Sequence, residues 1–303
     1  MDLEQLCARH HVLVPTNNLF QRRARLLQAL WRQEQDLPIG EHRGRPLGSR
    51  LAMPSAKNDL ANYLTDTIRA VVRFEVLDPE RSHGKLYGQP RIFNDLLSSQ
   101  PLCFNLFGEL QQDLPLASRA LRRLTEGRIE KVKAIGFEHS PGRGDDKYTG
   151  DRSAFDVFVE YETLAGIPGF AGIEVKYHEG LGDKPAPHKE RYEEIATAMG
   201  CFDASAFTRL KEKPLQQVWR DHLLAGSMLH HPERRHFDGF FAFLYPRDNL
   251  RCVQAVGGYA ACLASSTSFI PWTLEAFVDS LRAEGAGPWV EAFARRYLAF
   301  ERR

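Results

Sequence analysis

Asp156, Glu174 and Lys176 are the residues whose types and spacing could carry chemistry in this chain. Glu174 and Lys176 lie in "GIEVKYHEG" (172–180), where Ile173, Val175 and Tyr177 alternate with Glu174, Lys176 and His178. That alternation reads as a strand with one apolar and one charged face, because strand side chains point to opposite faces with a period of two. Asp156 lies in "AFDVFVEY" (154–161), a stronger strand. It is expected to set Phe155, Val157, Val159 and Tyr161 on one face and Asp156, Phe158 and Glu160 on the other. A turn of about nine residues favours antiparallel pairing of the two strands. If their apolar faces match, Asp156, Glu174 and Lys176 project from the same side of the sheet.

Two carboxylates held close together repel unless a cation lies between them. Hard oxygen ligands without cysteine suit Mg²⁺ or Mn²⁺, which takes one or two carboxylates beside waters and phosphate oxygens. The carbonyl oxygen of Val175 could add a ligand. Lys176 would then control a proton on a bound water or charge on a phosphoryl group. Taken alone, Glu-x-Lys is a common tripeptide and most often a solvated strand face. A third use of two carboxylates, the acid–base pair of a glycosidase, is disfavoured by the neighbouring lysine and by the lack of tryptophan near these residues.

The elements that must position these groups follow from periodicity. Residues 17–35 read as a helix with Leu26, Leu27, Leu30 and Trp31 on its apolar face. Residues 36–58, rich in Pro, Gly and Arg, read as a loop. Residues 59–77, 93–110 and 116–126 read as helical, with Pro101 near a helix start. Strands are expected at 130–138, 154–161 and 171–177, helices at 187–199 and 214–230, a buried strand at 237–245, and helices at 272–285 and 288–300. The order is helices, three strands, helices, a strand, helices: an α/β or α+β arrangement with a mostly helical N-terminal part.

Composition bounds the rest. The 303 residues are 43% hydrophobic and 26% charged, which is ordinary globular composition. A formal net charge of +1 leaves attraction to a polyanion to local patches. No stretch has the apolar length of a membrane span, and "MDLEQLCARHHVLVP" lacks a signal-like apolar run. Five Cys with no CxxC pair point away from a disulfide framework and towards a reducing, cytoplasmic setting.

Four blocks together, "SSQPLCFNLFGEL" (98–110), "FEHSPGR" (137–143), "YTGDRSAFDVFVEY" (148–161) and "GIEVKYHE" (172–179), carry a resemblance. The chain resembles the PD-(D/E)xK nuclease superfamily, and within it a family of bacterial restriction-endonuclease-like proteins, over about residues 20–260. The resemblance implies a restriction-endonuclease-like αβββαβ core with a mixed central sheet, a helical N-terminal extension (1–92) and C-terminal helices on the core (93–303). It implies a Mg²⁺- or Mn²⁺-dependent phosphodiesterase acting on nucleic acid, in all expectation DNA, with no membrane partner and room for a homodimer. Carried over, Asp156 and Glu174 are metal ligands and Lys176 the catalytic lysine; Phe155, not Pro, precedes the aspartate. A catalytically silent nuclease-fold module for nucleic-acid binding or assembly is the runner-up, since fold does not fix function.

Other candidates surround this core. Glu138 is an additional acidic ligand or a structural carboxylate, with Glu109 a weaker candidate; Glu160 lies too far along its strand. Arg143 and Arg152, on the polar loop 139–153, are expected to border the site and contact backbone phosphates, or else to pair within the loop. Gln100 is a candidate for a phosphate or base contact, set against simply pinning its helix. His178 either touches substrate or ends a strand. His222, His230, His231 and His236 match no zinc spacing, and Cys252 and Cys262 read as buried small residues. Basic clusters at 22–25, 43–50, 119–133 and 295–303 read by default as solvated faces.

Overall fold

The structure is a computed structural model that describes residues 2–182 and 185–301; Arg302 and Arg303, at the end of the last basic cluster, lie outside the described residues. The chain divides into two compact units, one of residues 1–112, 177–179 and 281–303, the other of residues 113–176 and 180–280.

The first unit is built on the helix Leu19–Glu34, opened by a capping box in which Asn18 and Gln21 satisfy each other's backbone N–H. It buries Phe20, Ala24, Leu26, Leu27 and Trp31; of the expected apolar face Leu30 is only partly buried, and Phe20 and Ala24 extend it. The stretch read as a loop is instead a hairpin. Strands β1 (Ile39–His42) and β2 (Arg45–Leu51) pair antiparallel with His42 opposite Arg45. The two-residue turn Arg43–Gly44 has φ of 52° and 73°, the doubly left-handed geometry that suits strand twist and favours glycine. Charged and glycine-rich strands without alternation hid this element from a periodicity reading.

The second unit holds a five-stranded sheet: β3 (Lys131–His139), β4 (Phe155–Glu162), β5 (Pro168–Val175), β6 (Asp238–Tyr245) and β7 (Phe269–Thr273), in that spatial order. The β3–β4 and β4–β5 pairs are antiparallel, β5–β6 and β6–β7 parallel. The helix Leu114–Leu124 precedes β3, and the helix Leu215–Leu229 lies in the crossover from β5 to β6. That is a mixed sheet in αβββαβ order, a restriction-endonuclease-like fold.

Strand β7 was not foreseen. It carries Pro271 mid-strand, which an edge strand tolerates because its N–H is not needed in a ladder on both sides. Strand β6 is apolar almost throughout and Phe240–Leu244 are fully buried, as for a strand covered on both faces. On one face Phe158, Phe170, Phe241 and Phe243 share a cluster with Tyr192 and Ile195 of the helix Glu190–Met199 and with Val218, Trp219 and Leu223 of the helix Leu215–Leu229. Burying each aromatic stabilises by about 1.5–3 kcal/mol, which fixes the sheet against the helix that borders the site.

Candidate active site

Register decides where the charges meet. The β4–β5 ladder runs from Glu162 opposite Pro168 to Val157 opposite Ile173, so one further step sets Asp156 across from Glu174. In β3, Phe137 opposite Val157 and His139 opposite Phe155 bracket Glu138, which therefore faces Asp156 from the other side. Three carboxylates thus stand in a row across β3, β4 and β5. Glu138 has φ of 49°, a left-handed conformation that is uncommon and costly for a residue with a side chain.

The apolar side departs from expectation at one point. Phe155 was expected on the face of Val157 and Val159. Its ring lies over Gly172, where an added Cβ would stand 2.4 Å from a ring carbon. Gly172 and Glu174 share a face, so Phe155 fills space beside the carboxylates, and a glycine is required beneath it.

Hydrogen bonds define the orientation of each group. Asp156 Oδ2 accepts the Val175 N–H at 2.9 Å. Lys176 donates to Glu174 Oε1 at 2.6 Å, and Gln217 Nε2 donates to the same oxygen at 2.8 Å. Both partners of the Glu174–Lys176 pair are largely buried, with side chains 9% and 11% exposed. Loss of hydration pushes the Asp156 carboxyl well above the usual carboxylate range, and the neighbouring Glu174 charge adds to it; Lys176 and the Val175 N–H oppose, and Glu138 raises it further.

The helix expected at 214–230 is present as Leu215–Leu229, but sequence reasoning missed its part in the site. It supplies Gln217 and also Asp221, which is 6% exposed and whose Oδ2 is buried with no hydrogen-bond partner among the described residues. Burial, then the Glu174 charge, push Asp221 upward as well, against Arg220 and Lys176. A signal was present: Gln217 and Asp221 are four apart in the helix read at 214–230, so they share a face. Nothing local said which face would meet the sheet. A cavity of about 320 Å³ is lined by Gln217, Asp221, Arg220, Lys213, Arg152 and Ser153 among others.

The remaining candidates are placed as follows. Arg143 donates to Glu138 Oε1 at 3.1 Å and to the Arg152 carbonyl at 2.9 Å, so it is engaged with a site carboxylate rather than with the loop's own aspartates. Arg152 lines the cavity. The loop is tied down: Ser140 bonds the Ser153 carbonyl at 3.0 Å, and Asp151 accepts from Arg220 Nε at 2.7 Å and from Tyr192 at 2.7 Å. Val175 is fully buried and offers its N–H to Asp156.

Elsewhere, Gln100 in the first unit accepts the Gly88 N–H at 2.9 Å and donates to the Leu86 carbonyl at 3.3 Å, pinning that loop. Glu109 accepts from Thr65 at 2.5 Å. The His178 carbonyl accepts from Gln21 at 3.2 Å. In the second unit His222 is a core histidine between Tyr259 and Ser268, held neutral by burial with its pKa lowered to about 3. His231 stacks on Tyr148 and His236 lies 3.6 Å from Glu160. Cys252 and Cys262 are fully buried.

The donor set fits a hard divalent ion. Glu174 beside Asp156 and Asp221 raises the pKa of each, and an Asp221 oxygen has no partner among the described residues; such a face suits a cation. Among the described residues no three His, Cys, Asp or Glu side chains form a ready-made metal cage. A Mg²⁺-type ion does not need one, since it keeps several waters and takes one or two carboxylates.

A mixed sheet in αβββαβ order with Asp on the second strand and Glu-x-Lys on the third defines a nuclease fold. A family model of the PD-(D/E)XK nuclease superfamily matches residues 15–299, and the chain belongs to that superfamily. No curated protein and no solved structure matches it. Among the described residues no helix is long and apolar enough to cross a membrane.

Proposed function

We propose that this protein is a divalent-metal-dependent nuclease that hydrolyses phosphodiester bonds, with DNA as substrate and Mg²⁺ or Mn²⁺ as the ion. The observation that carries the reading is the register that sets Asp156 opposite Glu174, with Lys176 bonded to Glu174 at 2.6 Å. Asp156 and Glu174 would hold the ion, with the Val175 carbonyl as a further ligand. When bound, the ion supplies charge neutralisation at the phosphoryl group and lowers the pKa of an attacking water.

The chain's own residues do the rest. Lys176 carries a positive charge into a buried setting, where it is worth more than in water. As an ammonium it can hand a proton to the reacting groups, while Gln217 fixes the orientation of Glu174. Asp221 and Glu138 flank the pair as additional carboxylates, and Glu138 is paired with Arg143. Arg152 lines a cavity with Lys213 and Arg220 that suits a phosphate backbone.

The test is incubation with plasmid, linear and single-stranded DNA and with RNA, in Mg²⁺, Mn²⁺ or EDTA. Cleavage of DNA that needs the ion is expected. Tight binding of nucleic acid without cleavage of any substrate would replace this reading with a non-catalytic nuclease-fold module.

A further inference from the structure

The first unit contains a cavity of its own, about 240 Å³ in volume, with a different chemistry from that of the carboxylate face. Its lining includes three guanidinium groups, from Arg25, Arg50 and Arg91, two imidazoles, from His42 and His178, and the Ser98 hydroxyl. These come from separated elements: Arg25 from the helix Leu19–Glu34, His42 and Arg50 from the hairpin, Arg91 from the helix Arg91–Asn94. His178 belongs to the segment that directly follows Lys176 in the chain.

Two carboxylates also border the cavity and both are already engaged. Glu179 accepts the Ser99 N–H at 3.2 Å and the Tyr177 N–H at 3.0 Å. Asp95 accepts from Arg50 Nη2 at 3.3 Å and from the Leu97 N–H at 3.1 Å. Among the described residues Arg25 bonds neutral oxygens, Asn17 Oδ1 at 2.6 Å and Ser49 Oγ at 3.2 Å. The wall is therefore rich in positive charge and donors. Burial lowers the Arg25 pKa; Asp95 opposes this and the nearby Arg50 cation adds to it.

Two donors on this wall have no acceptor among the described residues. Arg50 Nε and Ser98 Oγ are both buried without a hydrogen-bond partner there, and Ser98 is only 7% exposed. Buried donors are nearly always satisfied, so two orphans on one cavity wall call for an acceptor from outside the chain. Arginine forks match phosphate oxygens geometrically. The lining has no Phe, Tyr or Trp on which a base could stack. Its volume lies below the roughly 300–1,000 Å³ typical of whole small-molecule sites.

We infer that this cavity of the first unit is a phosphate-binding site that takes a phosphate group of a nucleic-acid strand. Its choice of a strand as the source rests on the nuclease reading; the phosphate chemistry stands on the cavity alone.

Binding of fluorescent oligonucleotides, carrying a 5′-phosphate, a 3′-phosphate or neither, tests it in EDTA across a salt series. Wild type is compared with Arg91→Ala, Arg50→Ala and Ser98→Ala, and thermal melting is followed with and without inorganic phosphate. Arg91 is exposed, so its variant is expected to fold even if loss of the Arg50–Asp95 pair weakens the other. Arg91→Ala and Arg50→Ala should each bind about 5–10-fold more weakly at low salt, with the salt dependence reduced by about one counterion. Phosphate should raise the melting temperature of wild type and not of either arginine variant.

A loss confined to phosphorylated oligonucleotides assigns the site to strand ends, and an equal loss on all three assigns it to a backbone phosphate; both support the inference. Stabilisation by inorganic phosphate with unchanged oligonucleotide binding overturns the strand as the source. Unchanged binding together with no phosphate effect on wild type overturns the site. Cleavage by wild type and Asp156→Asn is measured alongside. Binding effects without any cleavage would remove the nuclease reading and keep this site; cleavage without binding effects would do the reverse.

Discussion

Two buried charged clusters in this protein are built on opposite terms. In the first unit Arg296 is fully buried, yet each of its three guanidinium nitrogens has a partner. Nε donates to Gln28 Oε1 at 3.1 Å, Nη1 to the Asn62 carbonyl at 2.6 Å, and Nη2 to Asn62 Oδ1. Its charge lies 3.8 Å from the centre of the Trp31 ring. The partners are themselves held: Gln28 donates to Tyr177 at 3.2 Å, Tyr177 to the Tyr297 carbonyl at 3.1 Å, and Asn105 to Tyr297 at 2.9 Å. In the second unit the Glu174 charge raises the pKa of both Asp156 and Asp221, and one Asp221 oxygen has no partner among the described residues. A satisfied buried network specifies structure; a crowded, under-satisfied one is destabilising unless something binds there. The contrast is why the second cluster and not the first is read as the site.

The largest effects should separate the two by kind. Asp156→Asn, Glu174→Gln and Lys176→Ala are each expected to lower the cleavage rate at least about 10²–10³-fold, because each removes charge acting at the reacting phosphate. Without metal, Asp156→Asn should unfold no more easily than wild type, and up to about 1 kcal/mol less easily, since a buried like charge is gone. Arg296→Ala should do the opposite. It strands the acceptors of Asn62 and Gln28 and opens a void, at a cost of about 3–5 kcal/mol in chemical denaturation. If Asp156→Asn proves as destabilising as Arg296→Ala, the two clusters do not differ as described.

A smaller effect sharpens the second cluster. Asp221→Asn keeps the shape of the side chain and removes its charge. If Asp221 serves the ion, Mn²⁺ affinity measured by calorimetry should fall about 10–100-fold, as for groups that support metal ligands, with the metal-free fold intact. An unchanged Mn²⁺ affinity would leave Asp221 as a misplaced charge with no part in the site.

What the sequence disclosed follows from the range of each signal. Asp156, Glu174 and Lys176 were legible because alternation within two adjacent strands fixes their face, and a short turn fixes their pairing. Glu138 was legible only as a strand end, since its left-handed backbone and its bond to Arg143 have no local signature. Gln217 and Asp221 sit on a helix whose docking face is set by Val218, Trp219 and Leu223 against the sheet, a long-range matter. The β1–β2 hairpin escaped because polar strands show no period, and β7 because Pro271 counts against a strand until its edge position is known.

The smallest prediction tests the rule inside the second unit itself. Asp151 is a half-buried carboxylate of the satisfied kind, a neighbour of Arg220, which directly precedes Asp221. Burial alone would raise its pKa. The Arg220 charge, the Ser153 N–H and the hydroxyls of Tyr192 and Thr149 more than offset this and bring it from 3.8 down to about 2. The folded state therefore holds this proton less tightly than the unfolded chain. Its contribution is fully present above the unfolded value near 3.8, and is lost as pH falls through about 2. At about 1.4 kcal/mol per pKa unit, reduced for partial solvent access, that is on the order of 1–2 kcal/mol. Asp151→Asn should be less stable than wild type by this amount at pH 7 and should converge with it towards pH 2 in urea denaturation. Removing a charge here weakens the fold, whereas removing one at Asp156 does not. Parallel stability curves for wild type and Asp151→Asn between pH 7 and pH 2 would show that the Arg220 pair contributes nothing, and that hydrogen-bond satisfaction alone does not distinguish the two kinds of carboxylate.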